Sequence, residues 1–124
     1  MEIVLIEDDE IYADYVKKLL GQNPEFKIKW FRSVEDYQQT GGELPAAFIV
    51  DFRLPGKSGI EFYEEMKPRL TSDTKLIIMS AIDDGAMVLD FIKRGVRDYV
   101  IKDEHVIDSL RTILEGNEDY YLFD

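Results

Sequence analysis

What most constrains this chain is a repeated change of hydrophobic period. Short apolar runs alternate, from end to end, with stretches whose apolar residues fall at helical spacing. Ile3 to Ile6 is apolar and rich in β-branched residues, and Ile11, Tyr12, Tyr15, Val16, Leu19 and Leu20 then recur at helical intervals until Gly21. Phe26 to Phe31 alternates apolar residues with Lys27 and Lys29, the period of a half-exposed strand. Ser33 fits the N-cap of a short helix to about Gln39, which Gly41 and Gly42 break. Ala46 to Val50 is the most apolar run and ends in Asp51; the spacing then predicts a helix from Gly59 to about Leu70, with Pro68 truncating its end. Leu76 to Met79 ends at Ser80, Asp83 caps a helix to about Arg94, and Asp98 to Ile101 ends at Lys102. A last helix carries Val106, Ile107, Leu110, Ile113 and Leu114, with Asp103 as a candidate cap.

Five strand–helix units in this order predict an α/β fold, a (βα)5 three-layer sandwich whose parallel sheet is covered on both faces. Right-handed crossovers leave few topologies, and the flavodoxin-like strand order 2-1-3-4-5 is the favoured one. The 124 residues supply one domain, residues 1–124, and no second. No room remains for an output module, so the chain is read either as working alone or as the first domain of a longer protein. The acidic and aromatic tail, Glu118 to Asp124, extends the last helix or begins a connection.

A formal net charge of −11 sets the chain against nucleic acid and anionic membrane, which repel it over a Debye length of roughly 8 Å. With no cysteine there is neither a disulfide framework nor thiolate chemistry, which suits a reducing cytoplasm. Ile3 to Ile6 is too short for the core of a signal peptide. No apolar stretch approaches the roughly 20 residues that span a bilayer. The reading is a soluble, cytoplasmic protein with neither nucleic acid nor membrane as a direct partner.

In such a fold, ligands sit at the carboxyl ends of the strands. Those ends are Glu7 and Asp8, Asp51, Ser80 and Lys102. Crowded carboxylates repel one another unless a cation intervenes, and Mg2+ takes carboxylate oxygens together with waters and a phosphate oxygen. Asp8 and Asp51 are candidate direct ligands and Glu7 a ligand through water. With charge neutralised, Asp51 becomes a candidate nucleophile toward a phosphoryl group, while Lys102 and Ser80 hold two of its oxygens. Singly, each residue also reads as a first-turn acid, a loop acid or a surface lysine; their meeting at the ends of four strands is what favours a site.

Across essentially its whole length the sequence resembles the receiver domains of two-component response regulators. The segments that carry the resemblance are Val4-Leu5-Ile6-Glu7-Asp8-Asp9-Glu10, Ile49 to Gly59 around Asp51, Ile78-Met79-Ser80-Ala81 and Asp98-Tyr99-Val100-Ile101-Lys102. The resemblance implies that Asp51 becomes an aspartyl phosphate, with a kinase phosphohistidine or a small acyl phosphate as donor. It implies Mg2+ (or Mn2+) held by Glu7, Asp8, Asp51 and the backbone carbonyl of Arg53. Ser80 and Tyr99 match the pair that moves on activation, and Ala81 leaves room for the phosphoryl group. By the same resemblance Arg53 and Ile82 tune phosphoryl lifetime, Ile82 by hindering water and Arg53 by pairing with the phosphoryl group; otherwise both are only exposed side chains. The implied partners are a sensor histidine kinase or histidine phosphotransfer protein, a downstream protein or absent output domain, and a phosphorylation-dependent second copy. Output is expected on the face formed by the fourth helix, last strand and last helix, with Met87, Arg94, Arg97, Tyr99 and Arg111. Such a domain catalyses its own phosphorylation and slow dephosphorylation without being a turnover enzyme.

One departure bears on geometry. Many receivers follow the lysine with proline and a cis bond, whereas Lys102 precedes Asp103, and a non-proline cis bond costs roughly 2.5–4 kcal/mol. A trans bond is expected, with Lys102 differently placed. His105, the single histidine, reads as a surface residue. Rival readings are an FMN module, whose phosphate the acids after the first strand would repel, and an aspartate-nucleophile phosphatase, which wants an acid where Arg53 stands. The alternative within the same fold is a pseudo-receiver, an interaction module that is never phosphorylated.

Overall fold

The computed structural model describes residues 1–81 and 85–116. The chain runs β1 (Glu2–Ile6), α1 (Glu10–Leu20), β2 (Lys27–Phe31), α2 (Val34–Gln38), β3 (Ala47–Asp51) and α3 (Gly59–Met66). It continues through β4 (Lys75–Ser80), α4 (Gly85–Lys93), β5 (Asp98–Ile101) and α5 (Val106–Leu114). All pairings are parallel and the order is β2-β1-β3-β4-β5, as the sequence predicts.

The pleat divides each central strand between two apolar layers. Ile3, Leu5, Ile49, Ile77 and Met79 point to one side, against α1 and α5. Val4, Ile6, Phe48, Val50 and Ile78 point to the other, against α3 and Phe91 of α4. Burial on both faces explains why these strands read as continuous apolar runs. β2 lies at the edge, and its lysines alternate outward with half-buried Ile28 and Trp30.

Helix ends follow local chemistry. Asp9 accepts the N–H groups of Ile11 and Tyr12 and so caps α1. Ser33 caps α2, and Ser58 and Glu61 form a reciprocal capping box on α3. The α-helix of α3 stops at Met66, earlier than the spacing suggested. Pro68 lies in a 3-10 turn over Lys67–Arg69, because proline lacks the N–H that the next helical bond needs. Asp103 does not cap α5: its carboxylate accepts the His105 N–H at 2.8 Å, and His105 occupies the cap position without a side-chain bond. The expected roles of Ile82, of Asp83 as a cap and of the Glu118–Asp124 tail fall outside the described residues.

The register brings the strand ends level. Asp51 pairs with Met79, and Ser80 with Ile101. Residues just past the strands are tied to their neighbours: Glu7 N–H to Phe31 O at 3.1 Å, Phe52 N–H to Met79 O at 2.8 Å and Lys102 N–H to Ser80 O at 2.8 Å. Gly59 lets the first turn of α3 press on the end of β3, since a Cβ there would sit 2.5 Å from the Asp51 carbonyl oxygen.

Candidate functional site

Among the described residues three polar or charged groups are buried, Glu7 (0 % exposed), Asp51 (6 %) and Ser80 (1 %), and all stand at the carboxyl ends of strands. Glu7, Asp8 and Asp51 each offer a carboxylate oxygen within 4.8 Å of the others. Lys102 closes the cluster from the end of β5, its Nζ 3.2 Å from Asp51 Oδ1 and 2.5 Å from Glu7 Oε1. The acidic run after β1 therefore divides by role. Glu7 and Asp8 face the cluster, Asp9 is spent on the helix cap, and Glu10 pairs with Arg32 at 2.9 Å.

Burial, then the hydrogen bond and charge of Asp51, push the Glu7 carboxyl up to about 8 against the opposing pull of Lys102. Burial draws the Lys102 ammonium down, but its bond to Glu7 and the charges of Asp51 and Glu7 outweigh that and leave it raised. Without metal, Glu7 thus holds its proton more tightly than a free carboxyl does, beside the fixed cation of Lys102. Ser80 Oγ is buried and has no hydrogen-bond partner among the described residues.

Neighbouring groups hold this arrangement from outside. The Trp30 indole N–H donates to the Glu7 carbonyl at 2.7 Å, and the Arg32 guanidinium lies 4.9 Å from the Trp30 ring centre. Glu35 of α2 accepts the Lys57 N–H at 3.0 Å beside Gly56, whose φ of +74° suits the turn. Lys57 in turn pairs with Glu65 of α3 at 2.6 Å. The loop after Asp51 is thereby clamped to two helices.

The remaining expected residues fall as follows. Ala81 is exposed at the end of β4. Arg53 is exposed, its guanidinium 5.8 Å from the Phe52 ring centre. Tyr99 is half-buried and packs with Met87 against the layer under α3 and α4. No peptide bond among the described residues is cis, so Lys102–Asp103 is trans, and the amine nonetheless reaches the acids. Arg111 does not belong with Tyr99: its guanidinium donates to the Leu19 carbonyl at 2.9 Å and to Gln22 at 3.4 Å, on the α1 side of α5. His105 is exposed, as expected. Sequence reasoning missed Tyr12, whose ring centre lies 4.5 Å from Lys102 Nζ; the only available signal was its position in the first turn after the acids.

Comparison with known proteins places the arrangement. The receiver domain of DrrB, solved in a BeF3-activated form, superposes with a TM-score of 0.76 at 26% identity, covering 92% of this chain and 97% of that one. The transcriptional regulatory protein DesR of Bacillus subtilis is 32% identical over 125 residues, which cover 97% of this chain and 61% of DesR. DegU of Brevibacillus brevis, also a transcriptional regulatory protein, is 24% identical over 127 residues, covering 94% of this chain and 51% of DegU. The chain spans about half the length of the DegU relative. The family model of the response regulator receiver domain matches residues 3–115, and to that family of two-component signalling domains the chain belongs.

Proposed function

We propose that Asp51 accepts a phosphoryl group in a phosphorelay, beside a divalent metal held by Asp8 and Asp51, with Glu7 reaching it through water and the Arg53 carbonyl as a further ligand. The observation that carries this reading is the meeting of three carboxylates within 4.8 Å, with Lys102 Nζ 3.2 Å from Asp51. The side-chain donors are all hard oxygens, which fits Mg2+, and Mn2+ as a substitute. When bound, the metal supplies positive charge that relieves carboxylate repulsion and offsets charge on the phosphoryl oxygens.

Asp51 makes the new bond. One of its Oδ atoms attacks phosphorus; the P–N bond of a phosphohistidine or the P–O bond of an acyl phosphate breaks, and its electron pair leaves with the imidazole or the carboxylate. The departing imidazole takes up a proton from solvent. Lys102 holds one equatorial oxygen, and Ser80, whose hydroxyl has no partner among the described residues, has a hydrogen bond free to give to another. Arg53, exposed beside the site, pairs with the phosphoryl group and sets how long it lasts. Ser80 moving toward the phosphoryl group makes room for Tyr99 to turn inward, which alters the face formed by α4, β5 and α5.

The donor on this reading is a sensor histidine kinase or a histidine phosphotransfer protein in the cytoplasm. The recipient of the signal is a downstream protein, a further domain of the kind that gives the transcriptional regulators DegU and DesR their greater length, or a second copy of the chain.

Intact mass after incubation with acetyl phosphate tests the reading. Wild type gains the mass of one phosphoryl group only with Mg2+, and Asp51→Asn gains none. A folded, metal-replete wild type that gains no mass, and whose amide spectrum beryllofluoride leaves unmoved, is instead an interaction module on the same fold.

A further inference from the structure

Lys102 is the only cation of the cluster among the described residues, and carboxylates account for two of its contacts. A third side of the ammonium is covered by the face of Tyr12, at 4.5 Å from Nζ to the ring centre. That ring is itself held. The Tyr12 N–H is bonded to the capping carboxylate of Asp9 at 3.2 Å, and the side chain packs against the layer formed with α1 and α5. The Tyr15 ring lies 5.8 Å away in a tilted arrangement. The Tyr12 hydroxyl is buried and makes no hydrogen bond among the described residues. Burial, with Tyr15 and the carboxylates of Glu7, Asp51 and Asp103 adding to it, pushes the phenol well above its usual range and keeps it neutral.

We propose that the face of Tyr12, and not its hydroxyl, is a positioning element for Lys102 in phosphoryl transfer. The inference rests on the reading of Asp51 as phosphoacceptor. When Glu7 turns to the metal, Lys102 loses a hydrogen-bond partner and must move toward a phosphoryl oxygen. A carboxylate or hydroxyl would hold the amine along one fixed direction. An aromatic face attracts a cation over its whole area, so the amine slides from the carboxylates to the phosphoryl oxygen without leaving the site for solvent. The loop that carries Lys102 continues into Asp103 through a trans bond, and Tyr12 supports the amine from α1, independently of that loop.

The experiment compares wild type, Tyr12→Phe and Tyr12→Leu in the full chain. Three quantities are read: the chemical shifts of the Lys102 side-chain methylene protons without metal, the Mg2+ affinity by calorimetry, and the rate and half-saturation of acetyl phosphate charging. The ring displaces the Lys102 proton shifts upfield in wild type and Tyr12→Phe, and Tyr12→Leu loses that displacement. Tyr12→Phe charges at the wild-type rate and melts at a higher temperature, having shed an unpartnered hydroxyl. Tyr12→Leu lowers the maximal charging rate about tenfold while Mg2+ affinity stays within about twofold of wild type. Equal rates in all three proteins overturn the inference, as does an equal loss in Phe and Leu, which would assign the effect to the hydroxyl. A loss of Mg2+ affinity matching the loss of rate overturns it too, in favour of a merely structural ring. A wild type that shows the shift but takes up no phosphoryl group overturns the phosphoacceptor reading, and with it the role given to Tyr12.

Discussion

The two ends of the sheet are built on opposite principles. At the amino end the strands are closed by neutral backbone bonds: Lys27 N–H to Met1 O and Ala46 N–H to Glu2 O, each at 2.9 Å, and Lys75 N–H to Ala46 O at 3.0 Å. The Lys75 ammonium at that end donates to the Ile113 carbonyl at 2.9 Å, near the end of α5 where a cation is favoured. At the carboxyl end stand all three buried polar residues of the described part, one with an unpartnered hydroxyl and another with its carboxyl pushed up to about 8. The same five strands in one register thus carry a satisfied end and an unsatisfied one. On the proposed reading, the unsatisfied end holds groups that gain when a cation or a phosphoryl group arrives.

Removing what the two ends share should have the largest effect. Phe48, the second residue of β3, is fully buried and meets Tyr37 and Phe62 edge to face. Phe48→Ala should cost about 3–5 kcal/mol in denaturant unfolding, with amide exchange quickening at both ends together. Exchange that quickens at one end only would divide the sheet into independent parts.

The ends themselves should answer charge removal with opposite signs. Asp51→Asn takes one like charge from beside buried Glu7 once that group ionises, while leaving Lys102 its bond to Glu7, and above a pH of about 8 should stabilise the metal-free protein by about 1–2 kcal/mol. A destabilised variant would mean that the carboxyl end is as settled as the other.

Acidity sharpens the same contrast. The Glu7 carboxyl, raised from 4.5 to about 8, keeps in the folded state a proton that the unfolded chain gives up. Its contribution is therefore full below about 4.5 and is lost as pH climbs through about 8. Melting temperatures of the metal-free protein should fall across that window, and saturating Mg2+ should flatten the fall. A metal-free profile that rises with pH would contradict the assignment.

The smallest effect belongs to the amino end, where Lys75→Met should cost about 1 kcal/mol by leaving the Ile113 carbonyl without its charged donor. Melting should show no dependence of that loss on Mg2+. A loss that grows with metal would link the two ends.

Much of this was written in the order of residues. Runs such as Ala47–Val50 are apolar on both faces and stop at a polar residue, so strand ends and the groups they present could be read directly. Pro68 announced a helix end, though where the α-helix gives way to a 3-10 turn depends on packing around Met66 and could not be read. The four acids from Glu7 to Glu10 could not be divided between cap and cluster without knowing where α1 begins. Arg111 was misassigned because helical spacing does not say which neighbour a half-exposed side chain meets. Tyr12 was hidden for a related reason: its spacing marks it as core-facing, and the cation it meets arrives from the far end of the chain.

Trp30 is the chain's single tryptophan, and its indole N–H is bonded to the backbone of Glu7, with Arg32 over its face. Indole emission responds to nearby charge, so the molecule carries its own optical gauge of the acidic cluster. A shift of the emission maximum should accompany both metal binding and phosphoryl uptake, letting either be followed on the native chain without a label.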